Sequence, residues 1–150
     1  MEKNKSIKTK VALFIGYNGC SFLGLQYQRD TANTVENLLH KTLCDQGFVL
    51  KTNMDNLRRI KWSRAGRTDK KVHALCNGIS LNLELDERYI IDRTSREFNL
   101  NKVVADLNTD LPTDVRILAV KKVGKGFDMR HDTCSRIYNY IAPISLFYTK

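Results

Sequence analysis

The segment NGISLNLEL, residues 77 to 85, shows the most regular alternation of apolar and polar side chains in the chain. Its apolar positions are Ile79, Leu81, Leu83 and Leu85. A period of two places these side chains on one face, so the segment predicts a strand with one buried face. KVALFIGYN, residues 10 to 18, is apolar on both alternating faces and predicts a central strand that is covered on both sides.

Apolar residues recur at helical spacing in two other segments. The first contains Val35, Leu38, Leu39, Thr42 and Leu43, with Asn33 or Thr34 available as N-cap and Gly47 beyond the end. This pattern predicts a helix of about three turns. A second helical region is predicted within residues 86 to 108, with the best support from about 99 to 108.

Shorter apolar runs predict the remaining strands, and a glycine-punctuated loop is predicted at residues 19 to 30. The runs are GFVL (47–50), RIKWS (59–63), DVRILAVKKV (114–123) and SRIYNYIAPI (135–144), the last ended by Pro143. This order of elements predicts an α/β (α+β) fold, with a mostly antiparallel mixed sheet and helices packed on one face.

The chain is strongly basic. It has 150 residues, of which 42% are hydrophobic, and its 25 Lys and Arg against 16 Asp and Glu give a net charge of +9. This length supports one domain with a hydrophobic core. The cationic residues are concentrated in RRIKWSRAGRTDKK (58–71) and in a second group, Lys121, Lys122, Lys125, Arg130 and Arg136. Such concentration favours a binding surface for nucleic acid, the alternative being a solubilising surface.

The cysteine pattern and the N-terminus bear on the compartment. The four cysteines are far apart and form no C-x-x-C pair, so free thiols in a reducing compartment are expected. Residues 1–9 are predicted to form a basic tail without a secretory signal, and no apolar stretch is long enough for a membrane span. We therefore expect an intracellular protein, with nucleus, cytoplasm and organelle all open.

Asp69 is the only acid in SRAGRTDKKVHALCNGISLNL, residues 63 to 83, which holds four Lys and Arg side chains and one histidine. An aspartate in such a loop commonly just caps a turn. Nearby cations favour the ionised form, however, and an ionised carboxylate beside a basic groove can act as nucleophile or base on a nucleic acid. A single carboxylate without neighbouring acids or histidines is a poor magnesium site.

The segment RAGRTDKKVHA, residues 64 to 74, closely resembles the motif around the catalytic aspartate of the TruA-type tRNA pseudouridine synthases. Three further regions resemble family motifs in the same order along the chain. They are VALFIGYNGCSFLGLQYQ with TVENLL, LNTDLPTDVRIL, and GFDMRHDTCSRIYNYI. The resemblance spans nearly the whole chain and favours the eukaryotic branch.

The resemblance implies an isomerase that converts specific uridines in tRNA to pseudouridine without a cofactor or a metal. The target base must first leave its stack. Residues 10–150 would form the ferredoxin-like N-terminal half of a catalytic domain that is truncated at its C-terminus. Other RNAs as substrates, and a homodimer formed through the adjacent half, remain open.

The resemblance also implies roles for single residues. Asp69 matches the essential aspartate, which acts as nucleophile or base. Arg67 matches the arginine that assists base flipping and pairs with the aspartate, against the alternative of a plain loop ion pair. Tyr138 matches the tyrosine that stacks on the flipped uracil. Strand periodicity places Arg136 and Tyr140 on the same face, and Arg136 is a further candidate for substrate binding.

Other residues are further candidates for contacts with RNA. The plausible phosphate contacts, each with a solvated surface position as the alternative, are Arg64, Lys70, Lys71 and Arg130. Gln26 and Tyr27 lie on a loop that approaches RNA in the family, where their side chains would suit unpaired bases. Tyr140 is expected in the core, and His73 is expected to pack the loop or contact RNA rather than act as a catalyst.

Three departures from the family pattern matter. Lys71 replaces the usual glycine, so a left-handed backbone there would be strained. Met129 replaces a small residue before Arg130. The chain also lacks the third family motif, whose basic residue pairs with the aspartate, and the 150 residues alone are therefore predicted to be inactive.

A rival interpretation is a catalytically silent RNA-binding module with a basic face. Composition and charge do not separate this module from the enzyme. The G-R-T-D context does, because a mere binder has no use for a carboxylate that repels phosphate.

Overall fold

The structure is a computed structural model that describes residues 6–53 and 56–148. Its main sheet has four strands in the order β2-β3-β1-β6, and every paired neighbour is antiparallel. These strands are β1 (Ile7–Tyr17), β2 (Ser63–Arg64), β3 (Ala74–Leu85) and β6 (Val115–Lys122). The predicted class of sheet and helices is confirmed, with an antiparallel main sheet.

The other elements are a small hairpin and three α-helices. The hairpin pairs β4 (Ile90–Asp92) with β5 (Glu97–Phe98). The helices are α1 (Val35–Asp45), α2 (Leu100–Asp110) and α3 (Met129–Asp132). Short 3₁₀ turns occur at Gly19–Ser21, Lys51–Asn53 and Ile144–Phe147.

The two central strands have the predicted burial. In β3 the four alternating residues Ile79, Leu81, Leu83 and Leu85 are all fully buried. They pair with β1 so that Leu13 lies opposite Ile79. Strand β1 is central as predicted, and Lys10 and Ala12 on its second face are buried as well.

Helices α1 and α2 join the hydrophobic core on the face of β3 that carries Ile79 and Leu81. The caps follow the sequence. Thr34 accepts a hydrogen bond from the Asn37 amide at the start of α1, and Gly47 follows its end with a φ of 82°. The short helix α3 contacts the opposite face, where Met129 packs on Gly78.

The predicted strand at 47–50 is wrong, and of the predicted strand at 59–63 only Ser63 lies in a strand, as the first residue of β2. Phe48 and Ile60 are buried, but each offers only one backbone carbonyl to the edge of β3, to the amides of Glu84 and Asn82. Lys61 has a left-handed φ of 53°, which interrupts an extended chain. These two carbonyls cover the edge of β3 beyond the two residues of β2.

The predicted strand at 135–144 is also wrong, because no described strand lies beside it. Ile137 is 89% exposed and Ile141 is 96% exposed. An extended segment without a partner leaves its backbone groups to solvent and forms no ladder.

Two boundaries also differ from the sequence prediction. Strand β1 begins at Ile7, so the end of the predicted tail 1–9 is strand, whereas residues 1–5 lie outside the described part. The hairpin at residues 90–98 occupies a region that was assigned to the helical segment.

Candidate active site

Asp69 lies on the loop that joins β2 to β3, residues 65 to 73, and both Asp69 and Arg67 are exposed. The Ala65 amide donates to the Gly78 carbonyl at 2.8 Å, which continues the β2 pairing into the loop. The carboxylate therefore faces solvent rather than the core. This position suits a group that acts on an external substrate.

Tyr17 anchors the loop from strand β1. Its hydroxyl lies 2.7 Å from the Thr68 hydroxyl, one residue before Asp69. The Asn77 amide side chain donates to the Gly66 carbonyl at 3.2 Å and to the Tyr17 hydroxyl at 3.4 Å. Burial raises the pKa of Tyr17, so its hydroxyl stays protonated and available for this network.

The segment Phe22–Tyr27, here called the strap, crosses the same loop. The Leu25 amide donates to the Thr68 carbonyl at 3.1 Å, and the Lys71 amide donates to the Phe22 carbonyl at 3.2 Å. Gly24 has a φ of 110°, and a Cβ there would lie 2.9 Å from the Thr68 carbonyl oxygen. Only glycine allows this close approach.

The far end of the loop is fixed by Gly19. A Cβ on Gly19 would lie 2.0 Å from the Val72 carbonyl oxygen, and the Gly19 amide donates to His73 Nδ1 at 3.2 Å. His73 thus packs the loop. Lys71, between Asp69 and Val72, stands where the family usually has glycine. Its φ of 65° is left-handed, and this conformation is strained for a residue that has a Cβ.

Asp69 forms no ion pair within the described parts of the chain, 6–53 and 56–148, and this includes Arg67. The expected pairing of the two side chains is thus not made in this structure. Both remain available to groups from outside the described residues.

Arg64 has a structural partner that the sequence did not predict. Its guanidinium bonds the buried carboxylate of Glu36 through Nε at 2.5 Å and Nη2 at 2.8 Å. Two charge-assisted bonds of this kind hold the guanidinium in a fixed orientation. Arg64 also lines the cleft described below, and its contact with phosphate stays a prediction.

An open cleft of about 500 Å³ lies beside the loop. Its lining includes the cationic side chains Arg67, Arg130 and Arg136, together with His131. Asp69 does not line the cleft but follows Arg67 by two residues. The structure thus brings four of the predicted substrate-binding residues, Arg64, Arg67, Arg130 and Arg136, together beside the loop that carries Asp69.

Asp128 and Arg136 line this cleft, and hydrogen bonds fix their positions. Asp128 accepts hydrogen bonds from the Ser63 hydroxyl at 2.6 Å and from the Arg130 amide at 2.9 Å. The Ser63 bond keeps the pKa of Asp128 below its usual value. Arg136 donates from Nε to the Ala65 carbonyl at 2.7 Å, which ties the C-terminal segment to the loop.

Two of the predicted aromatic residues are exposed. Tyr138 is 76% exposed, and its hydroxyl lies 3.9 Å from the position of a Cβ on Gly66. Tyr138 therefore reaches the loop that carries Asp69. Tyr140 is 99% exposed, so its expected place in the core is wrong for the described residues.

The remaining candidate residues differ in exposure. Lys70 and Gln26 are exposed. Tyr27 is half-buried, with its ring edge-on to His40 at 5.9 Å and its amide bonded to Glu36 at 2.7 Å. Tyr27 therefore helps to build the strap, whereas the exposed side chains of Lys70 and Gln26 are accessible to a ligand.

The residues of this site that were missed from the sequence include Tyr17, Glu36, Asn77 and Asp128. Tyr17 and Asn77 lie in strands and looked like ordinary sheet positions. One signal could have identified Glu36. It lies within the motif TVENLL, in the first turn of α1, and a charge on a buried helix face needs a partner.

Within the described residues, no group of three or more histidine, cysteine, aspartate or glutamate side chains is placed to hold a metal ion. In the same part of the chain, no helix is both long enough and apolar enough to cross a membrane.

Comparison with known proteins gives consistent matches. The chain is 37% identical over 136 residues to tRNA pseudouridine synthase 1 of Candida glabrata, which covers 91% of this chain and 22% of the relative. It is 34% identical over 136 residues to the Saccharomyces cerevisiae protein of the same name, with the same coverage of 91% and 22%. No family model matches the chain.

A mammalian protein matches as well. The tRNA pseudouridine(38/39) synthase of Bos taurus is 34% identical over 143 residues, which cover 89% of this chain and 28% of the relative. The chain thus spans less than a third of the length of each of these relatives.

Proposed function

We propose that the chain is part of a TruA-type tRNA pseudouridine synthase, and that Asp69 is the catalytic carboxylate of this uridine isomerase acting on tRNA. The observation that carries the proposal is the exposed Asp69 on a loop held from three sides, next to a cationic cleft. A preorganised charged group beside a binding cleft is the arrangement that catalysis needs.

The reaction is an isomerisation. The bond between uracil N1 and ribose C1′ breaks, a bond forms between C5 and C1′, C5 loses its proton to solvent, and N1 gains one. Asp69 acts as nucleophile or as proton-abstracting base in this sequence. The reacting uridine leaves its stack so that the sugar and base reach the carboxylate.

The cleft supplies the contacts for RNA. Arg67, Arg130 and Arg136 neutralise backbone phosphates, and the exposed ammonium of Lys70 adds a further contact. Tyr138 stacks on the extruded uracil, because its ring is exposed and its hydroxyl reaches the loop at Gly66. These contacts place the ribose near Asp69.

The rest of the protein completes the site. The chain spans only about a fifth to a quarter of the length of the yeast relatives, and Asp69 forms no ion pair within the described residues. A basic residue from outside these 150 residues pairs with the carboxylate in this proposal. The 150 residues alone are therefore inactive.

The test uses the full-length protein and tRNA transcripts that carry tritium at C5 of uridine. Pseudouridine formation releases this tritium to water, so counts in the solvent measure turnover directly. We expect release that requires the full-length protein. Binding of the transcript without any release would instead establish the RNA-binding module and overturn the enzyme.

A further inference from the structure

Glu36 carries a carboxylate with no exposed surface, in the first turn of α1. It accepts hydrogen bonds from two nitrogens of Arg64, from Trp62 Nε1 at 2.9 Å and from the Tyr27 amide at 2.7 Å. Each carboxylate oxygen thus accepts two bonds. A buried charge that is satisfied this fully fixes the positions of its donors, and loss of one partner leaves the other uncompensated.

The backbone of Glu36 continues toward the catalytic loop. Its amide donates to the Leu25 carbonyl at 3.0 Å, and the Leu25 amide donates to the Thr68 carbonyl at 3.1 Å. Thr68 directly precedes Asp69. Two successive hydrogen bonds therefore connect the start of α1 to the peptide that bears the carboxylate.

The side chain of Glu36 holds the same loop from its other end. Arg64 is the last residue of β2 and leads into the loop, and Trp62 precedes that strand. Tyr27 belongs to the strap. One carboxylate thus fixes the entrance to the loop and the strap that crosses it.

We propose that Glu36 is a positioning residue for Asp69, which acts by holding Arg64 and the strap in one fixed arrangement. The catalytic consequence rests on the proposed function. The mechanical coupling does not, because it concerns only hydrogen bonds within the chain.

The experiment compares Glu36→Gln with Val103→Ala in the full-length protein. Val103 is a fully buried core residue of α2 outside the loop, the strap and the cleft, so its truncation controls for a general loss of stability. Amide hydrogen exchange at Leu25, Tyr27 and Lys71 reports the hold on the strap and loop. Tritium release from tRNA reports turnover.

In Glu36→Gln we expect exchange at these three amides to rise by about tenfold or more, while amides of α2 stay protected. We expect kcat to fall by about tenfold or more with a smaller change in KM, since a displacement of about 1 Å can cost about 10²-fold in rate. Val103→Ala should lower the melting temperature without either local effect.

Arg64→Lys is the second variant. It keeps the positive charge but loses the two-nitrogen contact with Glu36, so we expect smaller changes in amide exchange and in kcat than in Glu36→Gln. If Glu36→Gln does not fold, Arg64→Lys provides the test. Wild-type exchange and wild-type kcat in the variant that folds would overturn the proposal. A wild-type protein that releases no tritium would overturn the proposed function instead, while the exchange result still decides the coupling.

Discussion

Lys71 shows at the residue scale how a sequence departure becomes a structural property. Its φ of 65° lies in the left-handed region, which costs a residue with a Cβ about 1–2 kcal/mol. The backbone keeps the conformation because the loop is fixed on both sides, by the bonds from Lys71 to Phe22 and from Val72 to Asp69. The loop is thus built for glycine but carries lysine.

Lys71→Gly should therefore stabilise the protein. Relief of the left-handed strain exceeds the added flexibility of glycine in the unfolded chain, so we expect a gain of about 0.5–1 kcal/mol in the free energy of unfolding. Urea denaturation of the full-length protein measures this. Lys71→Ala, which removes the charge but keeps the Cβ, should give no gain, and an equal gain in both variants would assign the effect to charge.

Tyr17→Phe tests the anchor beneath Asp69. The variant removes the hydroxyl that lies 2.7 Å from Thr68 and leaves the Asn77 amide with one partner fewer, so it should cost about 1–2 kcal/mol. A double-mutant cycle with Thr68→Val should return a coupling free energy of about 0.5–1.5 kcal/mol. Strict additivity of the two substitutions would show that the hydroxyls do not interact.

At the scale of elements, the sequence predicted what local periodicity encodes. The alternation of Ile79 and Leu81, the helical stripe from Val35 and the N-cap at Thr34 all agree with the structure. The prediction from sequence failed where contacts with residues distant along the chain determine the local structure. Phe48 and Ile60 are as apolar as strand residues, yet each meets only one backbone group of β3, and the segment at 135–144 has no described strand beside it.

The candidate site divides in the same way. The motif that contains Arg67 and Asp69 was readable from the sequence, because its residues are adjacent. The ion pair between Glu36 and Arg64 spans 28 positions of the chain, and no local pattern reports that these side chains meet. Arg64 was therefore assigned to phosphate rather than to its buried partner.

Packing between β3 and α3 gives an element-scale prediction. A Cβ on Gly78 would lie 2.6 Å from Met129 Sδ, and Met129 is only 5% exposed. Gly78→Ala should therefore cost about 1–3 kcal/mol in the free energy of unfolding, from overpacking. In a Met129→Ala background, the same substitution should cost clearly less, and an unchanged cost there would exclude this contact as the cause.

At the scale of the whole molecule, positive charge is concentrated at one cleft. Four arginines, Arg64, Arg67, Arg130 and Arg136, line one cleft beside the loop that carries Asp69 in a chain of net charge +9, and Arg64 is paired with the buried Glu36. Electrostatic binding to an RNA backbone should therefore depend on the cleft more than on the remaining surface.

Arg130→Ala should weaken tRNA binding and reduce the slope of log K against log salt by about 0.7–0.9, the contribution of one phosphate contact. Lys41→Ala removes the same charge from α1, where Lys41 pairs with Asp45 outside the cleft, and should change the slope little. Titrations at several salt concentrations measure both. Equal slopes in the two variants would contradict a cleft that binds phosphate.

The most direct test of the whole account is the single-turnover rate of pseudouridine formation by full-length Asp69→Asn, measured together with its affinity for tRNA. The amide keeps the size of the side chain but removes the charge and the basicity. We predict a rate lower by roughly 10³-fold or more, with a dissociation constant within about twofold of the wild type. A variant that forms pseudouridine at the wild-type rate, or that loses tRNA binding together with activity, would contradict a catalytic role for this carboxylate.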